Sequence, residues 1–307
     1  MDRDLLNHMV ATTLDELITS RLIHSDHTGS YEATLLSQAT VAAHLNPEDG
    51  LFLHDELQKA LKAFVMDGDM HIFYTFTPLY NPGSAEINWR VFRKEIDGLD
   101  ESGLRVLNFV GVSPGMVNRM ANSAKSLPET TAEEIRAARV YRRFYTALQL
   151  RDLCNEIPIH QVSRKYDVPR GFVQTLAQIC EGFAAGMISF CDKMGWGMLK
   201  AALEHMIDRL KAGAKADLLD LAKIPYVKSR TARVLWENGF KGLRSIAEVE
   251  AKDLLPMLLL AQPKKPRLSH EDEAKYHQKL LKKAEIIVTA ANRLWEQQQQ
   301  VEIEMDI

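Results

Sequence analysis

From Ile87 to about residue 250 the apolar residues recur at helical spacing, and glycine or proline interrupts them at Gly98, Gly111, Pro128, Pro158, Pro169 and Gly195. Each break falls at or just before a helix start, where these residues are expected. The spacing predicts helices over 86–98, 101–110, 113–123, 130–156, 158–166, 169–194 and 196–213. No repeat of 34 residues or a similar period runs through them, which argues against a solenoid. A chain of 307 residues, 46% hydrophobic and 26% charged, can build two or three domains with a sizeable core. The expected class is mainly α.

Upstream of this region the pattern is mixed. Leu5, Leu6, Met9, Leu14, Leu17, Ile18 and Leu22 share a helical face, and the polar turn His27-Thr28-Gly29-Ser30 separates two short stretches able to pair as a β-wing. Residues 1–46 thus read as the last part of a winged helix. The earlier helices of such a domain are missing, as if the chain begins inside it. His24 and His27 lack the Cys or acidic partners of a metal site and read as surface turn histidines. Leu51, Leu53, Leu57, Leu61, Phe64 and Val65 make an amphipathic helix from Pro47 to about Asp67. The run HIFYTFTPLY (71–80) reads as extended, and Asn81-Pro82-Gly83-Ser84 as a turn.

Residues 217–250 form the outline of a helix-hairpin-helix, repeated in weaker form. Leu218, Leu221 and Ile224 share one face and Pro225 ends that helix; a second helix runs from Ser229, as N-cap, through Ala232, Leu235 and Trp236 to Asn238-Gly239, a left-handed cap. The turn presents backbone N–H groups, with Ser229 and Thr231, beside Lys228, Arg230 and Arg233, an arrangement suited to phosphate. Tyr226 and Lys228 stand where such hairpins carry glycine, so a plain helical hairpin with a solvated basic surface is the alternative.

Charge is distributed unevenly. Residues 1–100 hold 7 Lys/Arg against 16 Asp/Glu, and residues 193–293 hold 20 against 12, so the balance moves from −9 to +8. A basic C-terminal half suits one end on nucleic acid and the other against protein. No apolar run approaches the ~18–20 residues of a membrane span, and MDRDLLNHMV lacks the features of a signal peptide. Cys154, Cys180 and Cys191 lie in helical apolar patterns and read as reduced core residues of an intracellular protein.

Three segments in order carry a family resemblance: QATVAAHLNPEDGLFLHDELQKALKAFVMDGDMHIFYTFTP (38–78), RRFYTALQLRDLCNEIPIHQVSRKYDVPRGFVQTLAQICEGFAAGMISFCDKMGW (142–196) and LWENGFKGLRSIAE (235–248). Together they resemble the C-terminal part of superfamily 2 DNA helicases of the HELQ and DNA polymerase theta type, over roughly residues 1–292. The resemblance implies a winged-helix remnant (1–46), a helical bundle with a ratchet helix over single-stranded DNA (47–213), a terminal helix-hairpin-helix (214–261), and a nuclear role in DNA repair. Residues 262–307 follow as a basic linker, Gln262-Pro263-Lys264-Lys265-Pro266-Arg267, a helix over about 271–300, and a glutamine-rich acidic tail expected to fray. Members also carry two RecA-like ATPase domains, which use ATP and magnesium. This chain shows no G-x-x-x-x-G-K-[ST] string; Gly111-Val112-Ser113-Pro114-Gly115 lacks the lysine, and the acidic run from His270 to Lys275 reads as a helix start. No cofactor is therefore expected, and no ATP hydrolysis by this chain alone.

The ratchet candidate starts at Pro169-Arg170-Gly171. Val173, Leu176, Ile179, Cys180, Phe183, Met187 and Phe190 form its expected buried stripe, and Arg170, Gln174, Thr175, Gln178 and Glu181 its DNA-facing side. Gly182, Ala184, Ala185 and Gly186 leave room for a strand or for another helix. By resemblance an aromatic stacking residue is expected on this helix; at the matching position stands Gly182. Arg136, Arg139 and Arg143, on the helix over 130–156 with Arg142 and Arg151, can follow a phosphate backbone or pair with acids such as Glu133 and Asp152 inside the bundle. Two functions remain open: a DNA-binding accessory region of a repair helicase, acting on single-stranded or forked DNA beside an ATPase core or repair proteins, and a helical adaptor for protein partners. An independent enzyme is excluded for want of a catalytic set.

Overall fold

The computed structural model describes every residue except 1–2, 27–28, 64–67, 80–85, 124–126, 263–269 and 306–307. Phe64, Val65, the turn 81–84, most of the basic linker and two residues of the wing turn lie outside the described residues. In chain order the elements are α1 (Arg3–Thr19), β1 (Ile23–Ser25), β2 (Tyr31–Ala33), α2 (Leu35–Ala42), α3 (Pro47–Ala63), α4 (Met70–Phe76), α5 (Trp89–Asp97), α6 (Glu101–Val110), α7 (Pro114–Asn122), α8 (Ala132–Cys154), α9 (Ile159–Tyr166), α10 (Arg170–Lys193) and α11 (Gly197–Ala212). Then follow α12 (Leu219–Ala222), α13 (Ser229–Glu237), α14 (Leu243–Ala247), α15 (Leu255–Ala261) and α16 (His270–Met305), with 3-10 turns at Ala216–Leu218 and Ala251–Leu254. The fold is mainly α, as expected. Two compact units divide the chain: residues 1–152 with 158–207, and residues 153–157 with 208–307.

In the first unit α2 and α3 pack on each other and α2 packs on α10. Helices come this close only where side chains are small. A Cβ on Gly50 would lie 2.3 Å from the Thr40 hydroxyl, and one on Gly186 would lie 3.0 Å from the Ala43 carbonyl. The small residues around Gly186 thus serve, in part, the approach of another element. Phe92, Phe144, Tyr145 and Tyr166 form an aromatic chain through the core, with ring centroids 5.3–6.1 Å apart. Beneath it lies an ionic network: Lys165 Nζ donates to Asp152 (2.6 Å) and Glu95 (2.8 Å), Arg151 donates to Glu95 (2.8 Å), and the Tyr166 hydroxyl donates to Asp152 (3.0 Å). Every charge there is paired, which is the condition under which charges can be buried.

Residues 71–80, expected to be extended, begin instead with helix α4. All seven residues of α4 are buried. A helix enclosed on every side has no polar face, so its 3.6-residue period vanishes, and the aromatic and β-branched side chains then mimic a strand. The hydroxyls of Thr75 and Thr77 turn inward and donate to the carbonyls of His71 and Phe73 at 2.8 Å. Helix α2 was not anticipated; its Thr34 cap accepts from the Ser37 N–H. The two short stretches do pair: Ile23, His24 and Ser25 lie antiparallel to Ala33, Glu32 and Tyr31. His24 lies against Glu32 at 3.3 Å, and no group of metal-ligating residues exists among the described residues. No residue of α1 is buried, and its apolar side chains Leu5, Leu6, Met9, Val10 and Ile18 are exposed.

The second unit is built around Leu218, Leu221, Ile224, Val227, Leu235, Leu243, Ile246, Leu254 and Leu258, closed by Leu280, Ala284, Ile287 and Ala291 of α16. Helix α16 runs through the glutamines to Met305, where fraying was expected; glutamine and glutamate are good helix formers. No helix among the described residues is long and apolar enough to cross a membrane.

Candidate nucleic-acid interface

Helix α10 follows Pro169, which lies at φ −57°, the angle a helix start needs. Its buried stripe is Val173, Leu176, Cys180, Ala184, Met187, Phe190 and Cys191. Ile179 is 36% exposed and Phe183 half-buried, so the stripe rotates toward Ala184 relative to the expectation. That rotation brings small residues inward, where α2 approaches. On the opposite side Arg170, Gly171, Gln174, Thr175, Gln178, Gly182, Ala185 and Ser189 are exposed, and Glu181 is half-buried. No exposed residue from Gly171 to Ser189 carries a charge. Over these 19 positions, about five turns, the exposed polar groups are Gln174, Thr175, Gln178 and Ser189, with Ile179 and Ala185 as exposed apolar residues among them. Thr175 and Ser189 donate back to helix carbonyls, whereas Gln174 and Gln178 have no hydrogen-bond partner among the described residues. A Cβ at Gly182 would meet nothing within 4 Å. Such a surface can hydrogen-bond a sliding ligand but cannot grip one ionically.

The arginines of α8 are placed otherwise than on one open face. Arg143 is 2% exposed; it donates to the carbonyls of Thr77 (3.1 Å) and Tyr74 (3.2 Å), and its guanidinium lies 4.4 Å over the Tyr74 ring. It holds the end of α4 and faces no solvent. Arg139 donates to Asp49 at 3.0 Å, Arg142 pairs with Glu129, and Arg151 belongs to the buried network. Pairing inside the bundle, the alternative weighed from sequence, describes these four, mostly with acids distant in the chain. Arg136 alone of the proposed trio is exposed and has no acidic partner among the described residues.

In the second unit α12 and α13 flank the turn Ile224–Lys228. The N-cap position of α13 is Lys228, not Ser229, and it supplies no side-chain cap. Ser229 is the first helical residue, half-buried, and Thr231 is buried. Gly239 is left-handed at φ +95°, as expected of the cap. Lys228 and Arg230 are exposed, and Arg230 donates to the carbonyl of Gln262 at 3.4 Å. Arg233 is held: it donates to Glu156 at 2.7 Å and 2.9 Å and to Asp217 at 2.8 Å, and lies 5.2 Å over the Trp236 ring. The Glu156 and Asp217 carboxylates hold its guanidinium above its ordinary value. Two carboxylates outweigh its single charge, so little is left for phosphate.

One cation was missed from sequence. Lys283 of α16 is held below its ordinary pKa, first by burial and second by Lys228. The sequence clue is its place between Leu280 and Ala284, at the edge of the buried stripe of α16.

Comparison with known proteins gives a consistent result. The family described as "DNA_pol_Q helicase like region helical domain" matches residues 47–210, and a domain of unknown function matches 216–295. The chain is 31% identical to DNA polymerase theta of Mus musculus over 81% of its own length and 10% of the relative's. It is 33% identical to DNA polymerase theta of Drosophila melanogaster over 75% of the chain and 11% of the relative. With the helicase POLQ-like protein of Homo sapiens it shares 23% identity over 74% of the chain and 20% of the relative. The chain thus spans about a tenth of the length of the polymerases it matches.

Proposed function

The chain belongs to the family of helical domains of the DNA polymerase theta helicase-like region, and from that premise we propose that it is the DNA-handling part of a repair helicase, guiding single-stranded DNA along α10 and holding its backbone at the α12–α13 hairpin. The observation that carries this reading is the open face of α10 from Gly171 to Ser189, whose exposed residues carry no charge. A strand drawn past such a face meets a series of equivalent hydrogen-bonding sites, so no step is trapped in a deep ionic well. Holding falls to the second unit, where Lys228 and Arg230 have no acidic partner among the described residues. Single-stranded or forked DNA is the expected substrate and the nucleus the expected compartment. ATP and magnesium belong to a RecA-like ATPase core in this reading, and none of the residues here is assigned to them.

One observation favours a second reading, a helical adaptor. The apolar row Leu5, Leu6, Met9 and Val10 on α1 is exposed, as a surface that docks another protein would be. Salt separates the two, because phosphate contacts release counterions and a dry apolar contact does not. Fluorescence anisotropy of a labelled oligonucleotide with this chain is expected to show weak binding, indifferent to sequence, that falls steeply from low to high salt. Absence of binding at low salt, or binding blind to salt, leaves the adaptor.

A further inference from the structure

Resting on the DNA-binding reading above, we propose that Tyr226, at the tip of the α12–α13 hairpin, stacks on an unpaired base of single-stranded nucleic acid while Lys228 and Lys283 hold the adjoining phosphate. The tip is an unusual place for this side chain. Tyr226 has φ +66°, the left-handed region that glycine occupies freely and an aromatic residue only under strain. Strain of this kind persists where the surrounding structure imposes it, and it clusters at ligand sites. Here the flanking residues impose it: Ile224 and Val227 are both buried, at 1% and 4% exposure, and pin the turn on either side. The ring is largely open to solvent. It is 63% exposed and touches no other aromatic ring among the described residues.

The charges around it specify the partner. Lys228 follows two residues later, Arg230 four residues later, and Lys283 comes from α16; none of the three pairs with an acid among the described residues. Lys283 is half-buried, and burial first and the Lys228 charge second hold it below its ordinary pKa, a condition that a bound anion would relieve. Elsewhere in this unit Lys223, Arg244 and Lys252 are paired with Asp220, Glu248 and Glu250, whereas Lys241, Lys282 and Arg293 are exposed without an acidic partner among the described residues; what sets Lys228 and Arg230 apart is their place beside the Tyr226 ring in the chain. An aromatic face beside unpaired cations is the combination that binds an unstacked base and its phosphate. A duplex offers the phosphate without the base. The face of α10 has no aromatic ring, so stacking would be contributed by the hairpin instead.

The test uses the full chain and two labelled probes, a short oligothymidylate and a blunt duplex, titrated by anisotropy at several salt concentrations. Tyr226→Gly removes the ring and also the strain, so the thermal midpoint is expected to hold or rise while affinity for the oligothymidylate falls by roughly five- to one-hundred-fold. The salt slope should not change, because no cation is lost, and the duplex should bind as before. Tyr226→Phe should restore the single-strand affinity. Lys283→Ala should instead lower the slope by about one unit on both probes. Equal affinity of Tyr226→Gly and the unaltered chain for the oligothymidylate overturns the stacking role and leaves the DNA reading standing, as does an equal loss on both probes or a failure of phenylalanine to restore binding. If the unaltered chain fails to bind either probe at low salt, the DNA reading falls and the stacking role with it.

Discussion

Among the cations of the hairpin, chemistry is decided by the nearest carboxylate. Lys228, Arg230 and Arg233 lie within six residues of one another, yet only the third is locked, between Glu156 and Asp217. Lys228→Ala with Arg230→Ala is expected to weaken DNA binding on every sequence and to make the salt slope shallower by about 1.4–1.8 units, two contacts at about 0.7–0.9 each. Arg233→Ala should leave the slope near its starting value and lower stability instead, because it strands two carboxylates; denaturant unfolding read beside the salt titration checks both halves. Glycine shows the same dependence on neighbours. Gly50 sits against Thr40 at distances a Cβ cannot tolerate, so Gly50→Ala should cost about 1–3 kcal/mol, whereas Gly182→Ala, in open space, should cost nothing measurable by thermal melting and may be used as the control.

At the scale of elements, α10 divides its work between two faces. Its inner face packs through Val173, Leu176, Cys180 and Met187, and the exposed residues of its outer face from Gly171 to Ser189 carry no charge. Gln174→Ala with Gln178→Ala should therefore change neither stability nor salt slope appreciably. Its expected effect is on movement: unwinding by the chain joined to its ATPase core should slow, with circular dichroism unchanged. Unaltered unwinding in folded protein would remove α10 from the DNA path. Helices α5, α8 and α9 depend on the ionic network for their mutual placement. Asp152 is 3% exposed and receives Lys165, Arg151 and Tyr166. Removing it with Asp152→Ala leaves Arg151 and Lys165 to share the Glu95 carboxylate and takes an acceptor from the buried Tyr166 hydroxyl, and should cost about 1–3 kcal/mol, read from the denaturant midpoint.

For the whole molecule, the strongest expectation is negative. Neither a phosphate loop nor a carboxylate set for magnesium can be found in the sequence, so calorimetry with ATP, with or without DNA, should show no saturable heat. Saturable binding would require a nucleotide site that the sequence motifs do not describe. Helix positions from residue 86 to 213 were legible because amphipathic helices write their buried faces at 3.6-residue spacing between glycine or proline breaks: α6, at Glu101–Val110, coincides with the range expected. Helix α4 was illegible for the same reason in reverse, since burial on all sides erases the period. Site residues divide along a similar line. The open face of α10 could be read because exposure and burial alternate along one helix. Whether Arg139, Arg143 and Arg233 are available could not, because their partners Asp49, Thr77 and Glu156 lie 90, 66 and 77 residues away. Local periodicity is a property of neighbouring residues and is written in the sequence; the pairing of a charge depends on which distant segment folds against it, and only the tertiary structure decides that.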